Sequence, residues 1–264
     1  VEEGITIDGR ASINTFNISR LKNFWPRGFM KAPRRWLIKN MLSGQAEDIK
    51  TSFSIRIPNL GEAGVIVDSF YGKLRLGNTS VRFHDKFPLV QNIEGTAVFS
   101  KQRFVASIES GEFKELKILS GQVKLMDLDT ERENANIIAT LSGPLKSALK
   151  MANNIPLQLI SKYGFEAKSF KGWSQTKVGL TFPLHSSLRL EEVKVEASSQ
   201  IVNARFPIIS SNKLVEAGNF DLKVDSKDQQ PLQPVERDRF LGRNVDDLHR
   251  QECEGSALAP DLLS

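Results

Sequence analysis

Two-residue alternation of apolar and polar side chains runs through most of this chain and limits its possible folds more than any other feature. "KLRLGNTSVRF" places Leu74, Leu76, Val81 and Phe83 at strand spacing, with Lys73, Arg75 and Arg82 between them. The pattern returns with Phe104, Ala106 and Ile108 in "RFVASIES", Val123 and Leu125 in "GQVKLMDL", and Ile137, Ala139 and Leu141 in "NIIATLSG". It returns again with Val178, Leu180 and Phe182 in "TKVGLTFPL", and with Phe220, Leu222 and Val224 in "NFDLKV". Successive side chains of an extended strand point to opposite faces, so each run has one apolar and one polar face. Turn residues separate the runs, as in "LGN" at 76–78, "SG" at 120–121 and "SGP" at 142–144. Short strands at regular intervals predict an antiparallel meander rather than a parallel α/β fold.

Two stretches break the alternation. In "WPRGFMKAPRRWLIKNMLSG" (25–44), Trp36, Leu37, Asn40 and Met41 recur at helical spacing, Pro33 suits a first turn, and Gly44 suits a stop. This predicts a helix near 33–43. A second helix is expected near 144–162, with Leu145, Ala148, Leu149 and Ala152 as its apolar stripe and Pro156 as a break or kink. A faint echo links 74–99 with 188–222: a Leu-x-Leu, a Val-x-apolar pair, a Phe-Pro corner and then Gly. From about Asp225 the pattern lapses. Residues 1–225 are therefore expected to form one β domain and 226–264 a polar, disordered tail.

About ten such strands expose a long apolar face that two short helices cannot cover. The sheet must fold on itself as a sandwich or barrel, or curve into an open groove for a hydrophobic ligand. The pattern alone leaves both open.

Enzyme chemistry has little foothold. Cys253 is the only cysteine, and His84, His185 and His249 stand far apart, which excludes a disulfide and the usual metal spacings. No nucleophile elbow or phosphate loop is present; "LGEAG" at 60–64 lacks the Lys-Ser/Thr of a P-loop. Asp127 and Asp129 read as solvated strand-end residues. The expectation is no enzyme, no cofactor and no metal. No run of about 18 apolar residues occurs, so no membrane-spanning helix is expected. The net charge of +5 comes from Lys and Arg read as scattered among a similar number of acids. No basic stripe interleaved with aromatics points to nucleic acid. The chain opens mid-pattern, as if cut from something longer.

"GRASINTFNISRLKNFWP" followed by "APRRWLIKNMLSG" resembles the central domain of the YhdP family, in the AsmA-like superfamily. The matching features are Trp25-Pro26, Arg35-Trp36-Leu37, Asn40 and Gly44; "FPLVQNIEGTAVF", "ATLSGPLKSALKMANNIPLQL" and "VGLTFPL" add to the likeness. The resemblance covers about residues 5–225. It implies a mainly β fold: a long, curved antiparallel sheet, shaped like a taco, built from repeated strand units with two short helices. It further implies a periplasmic protein tethered to the inner membrane of a bacterium, with this chain a segment lacking the anchor. Phospholipid is the expected partner, moving between inner and outer membranes.

On that reading Leu74, Leu76, Phe104, Ile108, Val178, Leu180, Phe182, Phe220 and Leu222 line a lipid groove. Trp36, Leu37 and Met41 form a helix plug, and Arg34 and Arg35 attract headgroups. Ordinary core packing is the competing reading of each apolar set, and a solvated face that of the cations. The rival function is a scaffold for envelope proteins that binds client strands at a sheet edge, a role linked to the related TamB-type proteins.

Overall fold

The computed structural model describes residues 4–25, 31–57, 66–82, 89–130, 132–154, 166–184, 188–189, 192–207 and 214–225. Phe83, the segment 60–64, Pro156 with the "LQLISKYGF" stretch, the three histidines, Cys253 and the tail at 226–264 lie outside these residues.

The strands are β1 (Ile5–Asn17), β2 (Met41–Ile57), β3 (Ile66–Val81), β4 (Val90–Ser100), β5 (Phe104–Phe113), β6 (Leu116–Met126), β7 (Asn134–Pro144), β8 (Lys171–Pro183), β9 (Lys194–Pro207) and β10 (Leu214–Asp225). They form one ten-stranded sheet in which each strand hydrogen-bonds only its neighbours in sequence, so the sheet is a curved, unclosed antiparallel meander. Among the described residues three α-helices interrupt it: α1 (Leu21–Phe24), α2 (Lys31–Asn40) and α3 (Leu145–Asn154). The four-residue α1 is too short for periodicity to reveal.

Several sequence expectations need correction. The strands are not short: β2 has 17 residues and β3 has 16. Bulges hide this length, because each inserts a residue that shifts the alternation by one. Asp48, Asn78, Asn92 and Asn203 have left-handed backbones, with φ of 49°, 44°, 52° and 52°. Each lies at a register shift between paired strands. Asn and Asp tolerate that region better than most residues. Neighbouring side chains also hold two of these backbones: Asn78 N donates to Glu94 Oε1 at 2.8 Å, and Asn203 N donates to Asn219 Oδ1 at 2.9 Å. Bulges bend and twist the strand that carries them, which accounts for the curvature.

Helix α2 ends at Asn40, and Met41 is the first residue of β2, paired with Val81. Met41 is thus not on the helix. Arg82 N donates to Asn40 O at 2.8 Å, so the chain passes from helix to strand with no loop between. Gly44 is not a helix stop but a strand residue at φ +123°, where a Cβ would sit 2.6 Å from Thr79 Cα. The echo between 74–99 and 188–222 is not positional: Leu74 and Leu76 lie inside β3, whereas Leu188 precedes β9.

The topology places all three helices at one rim of the sheet. β1 ends and β2 begins at the rim where β7 ends and β8 begins, as the pairs Asn17–Gln45, Met41–Val81, Val81–Val90, Gln91–Glu112, Phe113–Leu116, Lys117–Ser142 and Pro144–Trp173 trace strand by strand. Among the described residues the opposite rim carries no α-helix.

Candidate functional site

Residues paired directly across neighbouring strands share a face of the sheet. One row runs Phe16, Ala46, Leu76, Gly95, Ile108, Gly121, Ala139, Val178 and Ala197, from β1 to β9, and its register continues to Val224 in β10. No polar residue interrupts it. A parallel row runs Leu74, Ala97, Ala106, Val123, Ile137, Leu180 and Val195, from β3 to β9. A third carries Ala11, Thr51, Gly72, Phe99, Phe104, Leu125, Ala135 and Phe182. Together they make an inner face, apolar but for Thr51, that runs along the stack of strands.

Two aromatic rings of this face lie over glycines of the neighbouring strand. Phe53 covers Gly9 on the neighbouring strand, where an added Cβ would meet the ring Cζ at 2.3 Å. Phe99 covers Gly72 in the same way, also at 2.3 Å. Glycine is required there because only a missing side chain leaves room for a ring across the strand boundary. Phe70 and Phe99 continue the surface with ring centroids 5.3 Å apart.

The inner face is covered unevenly. From β5 to β9 it is a closed core: Leu125, Ala135, Val178, Leu180, Phe182 and Val195 are all buried. Trp36 of α2 packs against this cluster. On a flat sheet β2 and β5 stand about 14 Å apart, so α2 folds back across the curve to reach it. Leu145 of α3 packs with Ile201 and Ala204, with Phe220 and Leu222 beside them, while Ala148 joins the larger cluster. The stacked pair Phe170–Phe206 (5.1 Å) and the edge contact Phe206–Phe220 (6.2 Å) close that end. At β1 the face is open. Ile5, Ile7 and Ile13 are 55%, 45% and 45% exposed, although they pair with Ile57, Ile55 and Ile49 on the same apolar side.

The family model described as YhdP protein matches residues 5–245. The chain belongs to the YhdP family. No curated protein and no solved structure matches it. The family match extends past Asp225, into the stretch read from composition as a tail.

In this YhdP-family sheet the residues expected to line a groove all fall on the inner face, but their surroundings differ. Leu76, Val178, Leu180 and Phe182 are buried, whereas Leu74, Phe104, Ile108, Phe220 and Leu222 are half-buried. Phe104 and Ile108 touch both large clusters and join them. Leu37 of α2 is buried and Trp36 half-buried. Sequence reading missed the open positions Ile5, Ile7 and Ile13, although "ITIDG" alternates cleanly enough to have shown two of them.

Charged side chains mostly hold the rims. Arg34 donates from Nε to Trp25 O at 2.9 Å and from Nη2 to Lys22 O at 3.1 Å, so its guanidinium ties α2 to the end of α1. Arg35 is exposed. Glu115, in the β5–β6 turn, accepts a hydrogen bond from Ser147 Oγ and lies 3.7 Å from Lys146 Nζ. Those two contacts, the hydrogen bond first, hold its carboxyl below the usual range and pin the start of α3. Asp127 accepts from Asn134 Nδ2 at 2.9 Å and Asp129 from Gln102 Nε2 at 3.2 Å, so both brace turns. Among the described residues no group of three or more His, Cys, Asp or Glu is placed to hold a metal. No helix there is long and apolar enough to cross a membrane.

Proposed function

We propose that the apolar inner face holds the acyl chains of phospholipid, and that this chain is a segment of a periplasmic bridge carrying lipid between inner and outer membranes. The observation that carries the reading is the row from Phe16 to Ala197, unbroken by a polar residue across nine successive strands. Acyl chains need such continuity, because each CH₂ left in water costs about 0.8 kcal/mol. The role needs binding and guidance rather than bond chemistry. The exposed isoleucines of β1 supply the surface a chain would occupy, and the headgroup would stay in solvent at a rim, near Arg35. Membership of the YhdP family supports the same reading, including tethering of the full-length protein to the inner membrane.

Native mass spectrometry with organic extraction, on the chain purified from a bacterial host, tests this. Near-stoichiometric phospholipid is expected, falling severalfold in Ile7→Glu/Ile13→Glu. A folded, lipid-free protein would overturn the proposal. The second reading is a non-catalytic scaffold for envelope proteins. It rests on β1, whose outer edge has no partner strand among the described residues; an edge of that kind can take an added strand.

A further inference from the structure

We infer that the corner formed by α1 and α2 is a docking site for an anionic bilayer surface. The charge distribution is the first ground. Seven of the chain's 36 Lys and Arg lie between Arg20 and Lys39, and none of its 31 Asp and Glu does. Without that segment the net charge of +5 would be negative. Arg20, Lys22 and Arg35 of this acid-free segment are exposed; such an excess of cations suits a polyanion, and a bilayer rich in acidic headgroups offers many charges in one plane.

The second ground is an exposed aromatic within the same corner. Phe24, the last residue of α1, is 68% exposed, the most exposed of the large hydrophobic residues described. It is held edge-on to Phe16, ring centroids 5.4 Å apart. Phe16 begins the long apolar row on the inner face, so Phe24 stands where that row meets the helical rim. Arg20 and Lys22, within four residues of it in the chain, and Arg35 of α2 are exposed as well.

The third ground is rigidity. Arg34 fastens α2 to α1 through two carbonyls. Ile18, just before α1, is buried against Phe16, Ala46 and Met41. The corner is thus fixed to the sheet. A held aromatic on a cationic, acid-free segment is the composition of an interfacial membrane contact: the ring enters the headgroup boundary while the cations meet acidic lipids. An acidic protein partner would explain the cations but not a ring left bare at the tip. The inference stands apart from the acyl-chain reading, since it concerns the outside of the rim.

Vesicle flotation of the full chain tests it. Binding to vesicles of phosphatidylcholine with one-third phosphatidylglycerol is expected, with little binding to pure phosphatidylcholine and a steep loss on adding salt. Arg20→Glu/Lys22→Glu/Arg35→Glu should weaken partitioning by at least about a hundredfold, and Phe24→Ala by roughly tenfold. Lys177→Glu/Lys223→Glu, a reversal in the sheet, should change it little. Inorganic phosphate at millimolar concentration should not compete, which separates a surface from a single anion site. Equal binding to both vesicle types, or unaltered binding by the folded triple variant, would overturn the inference. Extracted lipid should be unchanged in Arg20→Glu/Lys22→Glu, which leaves Arg35 in place and should still lose vesicle binding, so the two proposals fail separately.

Discussion

The two ends of one sheet face show how little alternation decides by itself. β1 and β8 both carry an apolar residue at every second position over much of their length, on the same side of the same sheet. At β8 those residues are core, closed over by curvature and by α3, with Trp36 of α2 packed against the same cluster. At β1 they stand in solvent: Ile5, Ile7 and Ile13 have apolar neighbours beside them but nothing above. An identical pattern is thus a stability element at one end and an unfilled surface at the other. Burial is set by what folds back over a strand, which lies elsewhere in the chain.

The sharpest way to break this comparison is the same substitution at both ends. Leu180→Asp should unfold the protein, since a charge forced into a closed core has no partner and costs several kcal/mol. Ile7→Asp should shift the thermal midpoint by only a degree or two. Similar destabilisation at both sites, read by circular-dichroism melts, would mean that the face is not divided. Gly44→Ala comes next, at about 1–3 kcal/mol, because its φ of +123° and the Thr79 backbone leave a Cβ no place; chemical denaturation reads it.

The smallest effect concerns the clasp that holds α3 over the closed end. Glu115 is held below its ordinary value of 4.5, so it contributes stability above that value and loses it as pH falls through the depressed one. The wild type should lose protection of α3 amides on acidification more than Glu115→Gln does. Hydrogen exchange measured across that pH range checks the slope, and equal slopes would remove the clasp from the account.

The meander itself was legible, because period-2 patterning survives bulges locally even when it loses count across them. Strand length was not: Asp48 takes up one residue in a bulge, so the alternation slips by one there while β2 continues. Met41 and Gly44 misled for a related reason. Helical spacing and a glycine stop suit "WLIKNMLSG", but the pairing of Met41 with Val81 overrides local preference. The groove residues were legible as a face and illegible as open or closed, since Trp36 reaches Val178 and its neighbours' cluster only through tertiary curvature. Arg34 drew attention as a headgroup cation, and its bonds to Lys22 and Trp25 carbonyls could not be seen from sequence. The cations around it stand out in the sequence as a basic helix, whereas the whole-chain totals conceal that the segment holds no acid.

Photo-crosslinking with a phospholipid carrying a reactive group in its acyl tail tests the central claim most directly. Exposed apolar side chains occur on both faces, so the protein carries its own control. The account predicts adducts at Ile5, Ile7, Ile13 and Phe53 on the inner face, with few at Tyr71, Val98 or Ile138 on the outer face. Adducts spread equally over both faces, or concentrated on the outer one, would contradict it.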